Sequence, residues 1–256
     1  VYLGYRVEFP EKARQGFLNM EWYSKERKDF LSDSGIIDSI DDSLILMSDL
    51  EKEFMIYDVL IAKGSEKTGI TQKVIDKTIE EFEAEKGFKL EKLQKEGIKL
   101  TLHKAGVLSG CAGSGKTTTS DCMIEVLKNL NGYNIIMCTP TGKACRRLAE
   151  VVKGTVRTIH SQFGVGIGGG SYIRSVGRSV PYNSQSKNIY ILDEMAMCSM
   201  PLLFEICRHI TNSDLIYFLG DIKQLPAIGK GNPFALLMKI LPCVELGVSK
   251  RAAEGS

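Results

Sequence analysis

No apolar run in the 256 residues approaches the ~18 needed to cross a bilayer, so the sequence offers no transmembrane helix. No charged-then-apolar leader stands at the start, so nothing points to secretion. The chain opens on Val1 rather than Met, which reads as a fragment. Neither sign of charge dominates: 33 Lys and Arg face 31 Asp and Glu, and a net charge of +2 names no partner. Cysteines at metal or redox spacing are missing too. The seven present (Cys111, Cys122, Cys138, Cys145, Cys198, Cys207 and Cys243) form no C-x-x-C pair, and are expected as reduced, buried thiols of a cytoplasmic protein. His103, His160 and His209 are too scattered to suggest a metal site. Long internal repeats and a nuclease constellation are also absent. What remains is ordinary core-forming composition, 43% apolar and 25% charged, with length for one large domain or two modest ones.

The first 88 residues read differently from the rest. Leu46, Leu50, Phe54, Tyr57 and Ile61 recur at helical spacing, with Asp42 or Ser43 as N-cap and Gly64 as a stop. Gly64-Ser65-Glu66 is expected to link this helix to another beginning near Thr71, which carries Ile75, Ile79 and Phe82 on one face and closes at Gly87. Val1–Phe9 reads as a strand, and Trp22 and Tyr23 as core or interface residues. From Ile98 the pattern changes to short apolar runs alternating with helices. Ala105–Ser109, Asn134–Cys138, Asn188–Leu192 and Leu215–Leu219 are expected as buried strands. Thr117–Leu130, Thr141–Val152 and Pro201–Ile210 are expected as helices. Such alternation predicts an α/β fold, a parallel sheet covered by helices, with ligands beyond the carboxyl ends of the strands.

The strongest motif is Gly110-Cys111-Ala112-Gly113-Ser114-Gly115-Lys116-Thr117, a full G-x-x-x-x-G-K-T between an expected strand and an expected helix. Glycines let backbone N–H groups wrap a β-phosphate, and the helix N-terminus adds a favourable dipole. Gly113, Ser114, Gly115, Lys116, Thr117 and Thr118 are therefore the expected nucleotide-binding residues. Lys116 would reach the β- and γ-phosphates, and Thr117 would ligate Mg²⁺. Asp193-Glu194 ends the apolar run Ile189–Leu192. Asp193 would hold the Mg²⁺ through water, and Glu194 would orient and deprotonate the attacking water. In Phe218–Pro226 a strand runs into Gly220-Asp221, with Gln224 three residues on and able to meet a γ-phosphate.

In this order the motifs resemble the first motor domain of RecD-like superfamily 1 DNA helicases. Thr139-Pro140-Thr141-Gly142-Lys143-Ala144-Cys145-Arg146-Arg147-Leu148 is similar to that family's motif Ia, and Thr158-Ile159-His160 to its T-[IV]-H element. Asp193–Met197 resembles D-E-x-S-M, and Gly220–Pro226 resembles G-D-x-x-Q-L-P. Leu90 and Gln94 have the spacing of its adenine-reading motif, and Leu246 to Arg251 resembles motif IV. The departures are Ala196 for the usual Ser and Cys145 for the usual Ala, both small.

The resemblance implies a P-loop NTPase with a RecA-like parallel sheet at residues 89–256, preceded by a mainly helical region at 1–88. It implies ATP and Mg²⁺ as cofactors and single-stranded DNA as partner, with 5′-to-3′ movement. Gln94 would bond the adenine, Gln224 would couple the γ-phosphate to the DNA site, and Arg251 would be an arginine finger. Pro140, Thr141, Thr158 and His160 would lie along the strand. Motifs of a second motor domain are not in the sequence, so unwinding by this chain alone is not expected. Partner subunits of a repair or recombination complex fit the same resemblance.

Between Thr141 and Val180 seven basic residues (Lys143, Arg146, Arg147, Lys153, Arg157, Arg174 and Arg178) face one acid, Glu150, which suits phosphate contact. Gly164–Gly169 satisfies G-x-G-x-x-G literally, but Ser171–Gln185, with Pro181 and many Ser and Arg, does not read as a helix of a βαβ unit. A basic, glycine-rich insertion at about 164–187, resembling a strand-separating pin, is the better expectation. The competing reading is a P-loop kinase or other nucleotide-dependent phosphotransferase, which would leave Gln224 and the Thr-Pro-Thr-Gly-Lys run unexplained. A regulatory module that binds nucleotide without turnover is a third.

Overall fold

Every residue of the apolar run at Ala105–Gly110 is buried, because in a parallel sheet covered on both faces neither side of a strand meets water. The computed structural model describes residues 47–151, 155–165, 187–224 and 232–247. The Val1–Phe9 strand, Trp22, Tyr23, Asp42, Ser43, Leu46, Lys153, residues 166–186 of the insertion, Leu225, Pro226 and Arg251 lie outside the described residues. So do the side chains of Leu50 and Phe54.

Six strands form one sheet: β1 (Ala105–Gly110), β2 (Tyr133–Thr139), β3 (Thr155–Thr158), β4 (Lys187–Leu192), β5 (Leu215–Gly220) and β6 (Cys243–Leu246). Their order is β3-β2-β4-β5-β1-β6, and every pairing is parallel. The four strands expected from the sequence are β1, β2, β4 and β5. Both edges, β3 and β6, are additions that the sequence pattern did not signal.

Side chains alternate across the sheet and feed two separate cores. Val107, Tyr190, Leu192, Ile216 and Phe218 pack on one face with α1 (Met47–Ser65), α6 (Ile159–Phe163), α7 (Met200–His209) and α8 (Pro233–Ile240). Leu108, Ile189, Ile191, Tyr217 and Leu219 pack on the other with α2 (Gln72–Lys86), α3 (Lys92–Ile98) and α4 (Lys116–Leu127). The remaining helix, α5 (Gly142–Val151), follows β2 and sends Leu148 to the second core. Helices on both faces are what short right-handed crossovers between parallel strands require.

The helices before residue 88 thus complete the sheet's own cores. Ile56 and Leu60 of α1, and Ile75 of α2, are wholly buried. Each such side chain contributes on the order of 1.5–3 kcal/mol. Helix α2 starts at Thr71, whose hydroxyl accepts the Val74 N–H, and stops at Gly87 in the left-handed region, as the sequence suggests.

The expected stop at Gly64 needs correction. Helix α1 runs through it to Ser65, so Gly64 and Ser65 are helix rather than linker. A Cβ on Gly64 would sit 2.9 Å from Leu241 Cδ2 and 3.1 Å from Pro242 Cδ. The glycine is there to let α1 lie close against the segment entering β6.

Two buried charges fasten these helices. Lys63 is almost fully buried and donates to the carbonyls of Thr211 (2.6 Å) and Asp214 (2.7 Å), tying α1 to the turn before β5. Burial pushes its amine down to about 8, against the opposing pull of Asp214. Glu83 of α2 accepts Lys89 Nζ at 2.7 Å, Lys95 Nζ at 2.7 Å and the Leu90 N–H at 2.9 Å, which fixes the entry into α3. Burial works to raise its carboxyl, but those three donors prevail and hold it at about 2.

Candidate nucleotide site and adjoining loops

The G-x-x-x-x-G-K-T segment leaves the carboxyl end of β1 and enters α4, the strand-to-helix context the motif needs. Gly113 (φ +78°) and Gly115 (φ +83°) take left-handed conformations, which glycine adopts without strain. Gly110 has a different reason. A Cβ there would lie 2.4 Å from Ser114 Oγ, so the serine folds back over the start of the loop. The Ser114 N–H donates to Cys111 O at 3.2 Å, while its buried hydroxyl has no protein partner. That orphan suits a loop whose polar partner is a ligand. Lys116 and Thr118 are half-buried and Thr117 is exposed, all on the first turn of α4.

Asp193 and Glu194 follow β4, two strands away in the order β4-β5-β1. The Asp193 N–H donates to Cys138 O at 2.8 Å, continuing the ladder with β2, and its Oδ1 accepts the Glu194 N–H at 2.8 Å. Burial raises the Asp193 carboxyl above its ordinary range. The charge of Lys116 opposes that rise and the charge of Glu194 adds to it. Lys116, Asp193 and Glu194 therefore share one electrostatic environment. Glu194 is the one non-glycine with positive φ among the described residues (φ +59°), a strained conformation of the kind that gathers at functional sites.

The third element leaves β5, the strand between the other two. Gly220 lets the turn carrying Ala196 come close: a Cβ on it would sit 3.2 Å from Ala196 N and 2.8 Å from Phe234 Cζ. Asp221 is buried, and its Oδ1 accepts the Lys223 N–H at 2.9 Å. The Gln224 N–H donates to Asp221 O at 3.1 Å, which leaves the Gln224 side chain exposed beyond the turn. A cavity of about 240 Å³ opens beside this turn, lined by Leu93, Cys111, Asp221, Lys223, Glu245, Leu246 and Gly247. Sequence reasoning missed Glu245 and Leu93 as lining residues, since they stand in elements that no pattern marked.

Gln94 lies on α3, a helix that sequence periodicity also missed. Its Oε1 accepts the Glu91 N–H at 2.8 Å, and its Nε2 donates to Gly115 O at 3.5 Å, so it reaches the P-loop. The E-x-x-Q spacing of Glu91 and Gln94 is a helix-start signal and could have revealed α3.

The expected DNA residues lie at the carboxyl ends of β2 and β3, whose last residues, Thr139 and Thr158, are in register. Both candidate threonines cap helices: Thr141 Oγ1 accepts the Ala144 N–H and Thr158 Oγ1 accepts the Ser161 N–H. Pro140 is buried and His160 half-buried. Helix α5 presents exposed Lys143, Arg146 and Arg147, positions that helical spacing places on one side. Among the described residues no group of three or more His, Cys, Asp or Glu is gathered for a metal. A Mg²⁺ held by one hydroxyl, waters and phosphate oxygens needs no such group, and Thr117 with Asp193 fits that pattern. Among the same residues no helix is long and apolar enough to cross a membrane.

The sequence model of the family described as AAA domain matches residues 89–255. The ATP-dependent RecD2 DNA helicase of Deinococcus radiodurans is 31% identical over 144 residues, 56% of this chain and 19% of that protein. The ATP-dependent DNA helicase PIF1 of Saccharomyces cerevisiae is 29% identical over 210 residues, 73% of this chain and 24% of that protein. The chain thus spans a quarter or less of the length of these two relatives. Among solved structures, the Arterivirus nonstructural protein 10 helicase overlaps 60% of this chain and 36% of its own, at 18% identity and a TM-score of 0.33. With its P-loop, its all-parallel sheet and its family match, the chain belongs to the AAA domain family, in the form found in RecD-like superfamily 1 helicases.

Proposed function

We propose that this chain is the ATP-binding and ATP-hydrolysing half of a two-domain motor that moves 5′ to 3′ along single-stranded DNA. One observation carries the reading. The P-loop, the Asp193-Glu194 turn and the Gly220–Gln224 turn leave the carboxyl ends of β1, β4 and β5, three adjacent strands of one sheet. Lys116 would then neutralise the β- and γ-phosphates, and Thr117 with Asp193 would hold a Mg²⁺ that would supply further positive charge there. Glu194 would accept a proton from the attacking water, and Gln224 would sense the γ-phosphate. By the motif resemblance, Arg251 would add a further positive charge to the γ-phosphate, and Gln94, beside the loop, would bond the adenine.

Pro140, Thr141, Thr158 and His160 line up along the sheet's β2–β3 side, with the basic side of α5 next to them. Nucleotide and strand would meet neighbouring loops of a single sheet edge, which is what coupling hydrolysis to movement requires. Phosphate contact by Lys143, Arg146 and Arg147 makes the strand binding fall with salt.

The test is ATP hydrolysis by the chain with and without single-stranded DNA. Stimulation by DNA, and its loss in Lys116→Ala, are the expected results. Turnover surviving in Lys116→Ala would sink the site assignment. Transfer of phosphate to a nucleoside would favour the phosphotransferase reading. Robust unwinding by these 256 residues alone would refute the half-motor reading.

A further inference from the structure

Helix α3 carries both Gln94 and Leu93, yet it has little of its own to hold it in place. Of its seven residues only Gly97 and Ile98 are buried, and a helix this short is marginal by itself. Its rear end is seated by packing: a Cβ on Gly97 would lie 2.9 Å from Leu108 Cδ1 and 3.0 Å from Thr119 Cγ2. Its front end is held by a residue of another helix, Glu83 of α2.

Glu83 Oε1 accepts Lys95 Nζ at 2.7 Å and the Leu90 N–H at 2.9 Å, and its Oε2 accepts Lys89 Nζ at 2.7 Å. Two of these donors precede the helix, and the third, Lys95, is the neighbour of Gln94 within it. The carboxylate therefore grips the chain on both sides of the point where α3 begins. Its side chain is 2% exposed, against 38% for Lys95 and 81% for Lys89, so the Lys95 pair is the better shielded of the two. Charge-assisted bonds of this kind are about twice as strong as neutral ones. From α3 so fixed, Gln94 Nε2 reaches Gly115 O at 3.5 Å, and Leu93 lines the cavity beside the P-loop. Glu83 itself belongs to the helical region before residue 89, whose sequence carries no nucleotide-binding motif.

We propose that Glu83 is a positioning residue for the base end of the nucleotide site: it sets the direction of the first turn of α3, and with it the placement of Gln94 against the adenine. A hydrogen bond to the base contributes fully only when the amide is already aimed, since a mobile helix must be ordered as the ligand binds. The phosphates are held by the loop between β1 and α4, so they gain little from the Glu83 clamp. The proposal rests on Gln94 bonding the adenine, as proposed above.

Calorimetry on the 256-residue chain with MgATP and magnesium tripolyphosphate separates the two ends of the ligand, since the second has no base. In Glu83→Gln an amide nitrogen replaces one acceptor beside the lysine ammonium groups. ATP binding should weaken about three- to tenfold, the worth of the one hydrogen bond to the base, while tripolyphosphate binding changes by less than about twofold. Lys95→Met, the milder change, leaves Glu83 its other two donors and should show the same selective loss. In a Gln94→Met chain, which has no amide to aim, adding Glu83→Gln should weaken ATP binding no further.

Equal losses for ATP and tripolyphosphate, or ATP binding unchanged in both Glu83→Gln and Lys95→Met, would overturn the positioning role and leave the nucleotide site standing. A further loss on adding Glu83→Gln to Gln94→Met would overturn the route through Gln94. A wild-type chain that binds ATP no more tightly than tripolyphosphate would overturn the adenine reading and this proposal together.

Discussion

Adding one methyl group at Gly220 should disturb the stability of the sheet and the turn that carries Glu194. The methyl of Gly220→Ala would sit 2.8 and 2.9 Å from two ring atoms of Phe234 and 3.2 Å from Ala196 N. Phe234 is fully buried, so its ring cannot swing into solvent, and Ala196 belongs to the short turn that begins after Glu194. Overpacking of this kind costs about 1–3 kcal/mol. For a chain of this size that lowers the melting temperature by roughly 2–12 °C. Relief must come from Phe234, from Ala196 or from both. If the Ala196 turn yields by a few tenths of an ångström, Glu194 tilts, and turnover should fall about tenfold or more, because catalysis tolerates little misplacement.

Phe234→Leu removes the ring atoms nearest the new methyl. Alone it should cost about 1–2 kcal/mol through the space it leaves. Combined with Gly220→Ala it should cost clearly less than the two added together. Thermal melting and DNA-stimulated ATP hydrolysis read both effects. Wild-type melting and turnover in Gly220→Ala would refute the packing argument. Strict additivity in the double variant would refute the role assigned to the Phe234 ring.

Two further outcomes rest on the buried charges. Folding depresses the Glu83 carboxyl from 4.5 to about 2, so its contribution is complete above pH 4.5 and is lost as pH falls towards 2. Glu83→Gln should flatten the decline of stability across that window, measured by denaturant unfolding at several pH values; an unchanged slope would count against the three-donor clamp. Lys63→Met leaves the carbonyls of Thr211 and Asp214 without their donor and should cost about 1–3 kcal/mol. Folding also lowers the Lys63 amine from 10.5 to about 8, so the unfolded chain binds more protons between those values. The wild type should therefore gain stability as pH rises through that range, and the variant should lose that gain.

The sheet's interior was legible because β1, β4 and β5 are apolar on both faces, which leaves an uninterrupted run in the sequence. The edges were not. β3 is four residues with an exposed start, and β6 is four residues with an exposed glutamate, too short for any period to show. Helix α8 reads Pro-Phe-Ala-Leu-Leu-Met-Lys-Ile, apolar but for one lysine, so periodicity cannot separate helix from buried strand. Helix α3 failed for the opposite reason: only Gly97 and Ile98 of its seven residues are buried. The phosphate loop was legible since its chemistry is local, eight consecutive residues. The nearness of Asp221, Glu245 and Leu93 around one cavity depends on strand order, which no local pattern encodes. The misread end of α1 has the same origin, because Gly64 answers to Leu241 and Pro242 across the whole length of the domain.

The Lys63 clasp also bears on how the molecule is made. Its amine bonds Asp214 O, 151 residues further along, and α1 buries Ile56 and Leu60 among residues of α7 and α8. A ribosome delivers the chain from its N-terminal end, so α1 emerges long before its partners in α7, α8 and the turn before β5. At synthesis rates of roughly 5–20 residues per second, the wait for Asp214 is on the order of ten seconds. During that interval the apolar side of α1 is exposed, and closing so long a loop is slow. The earliest of the described helices thus has its clasp closed only when the turn before β5 has emerged.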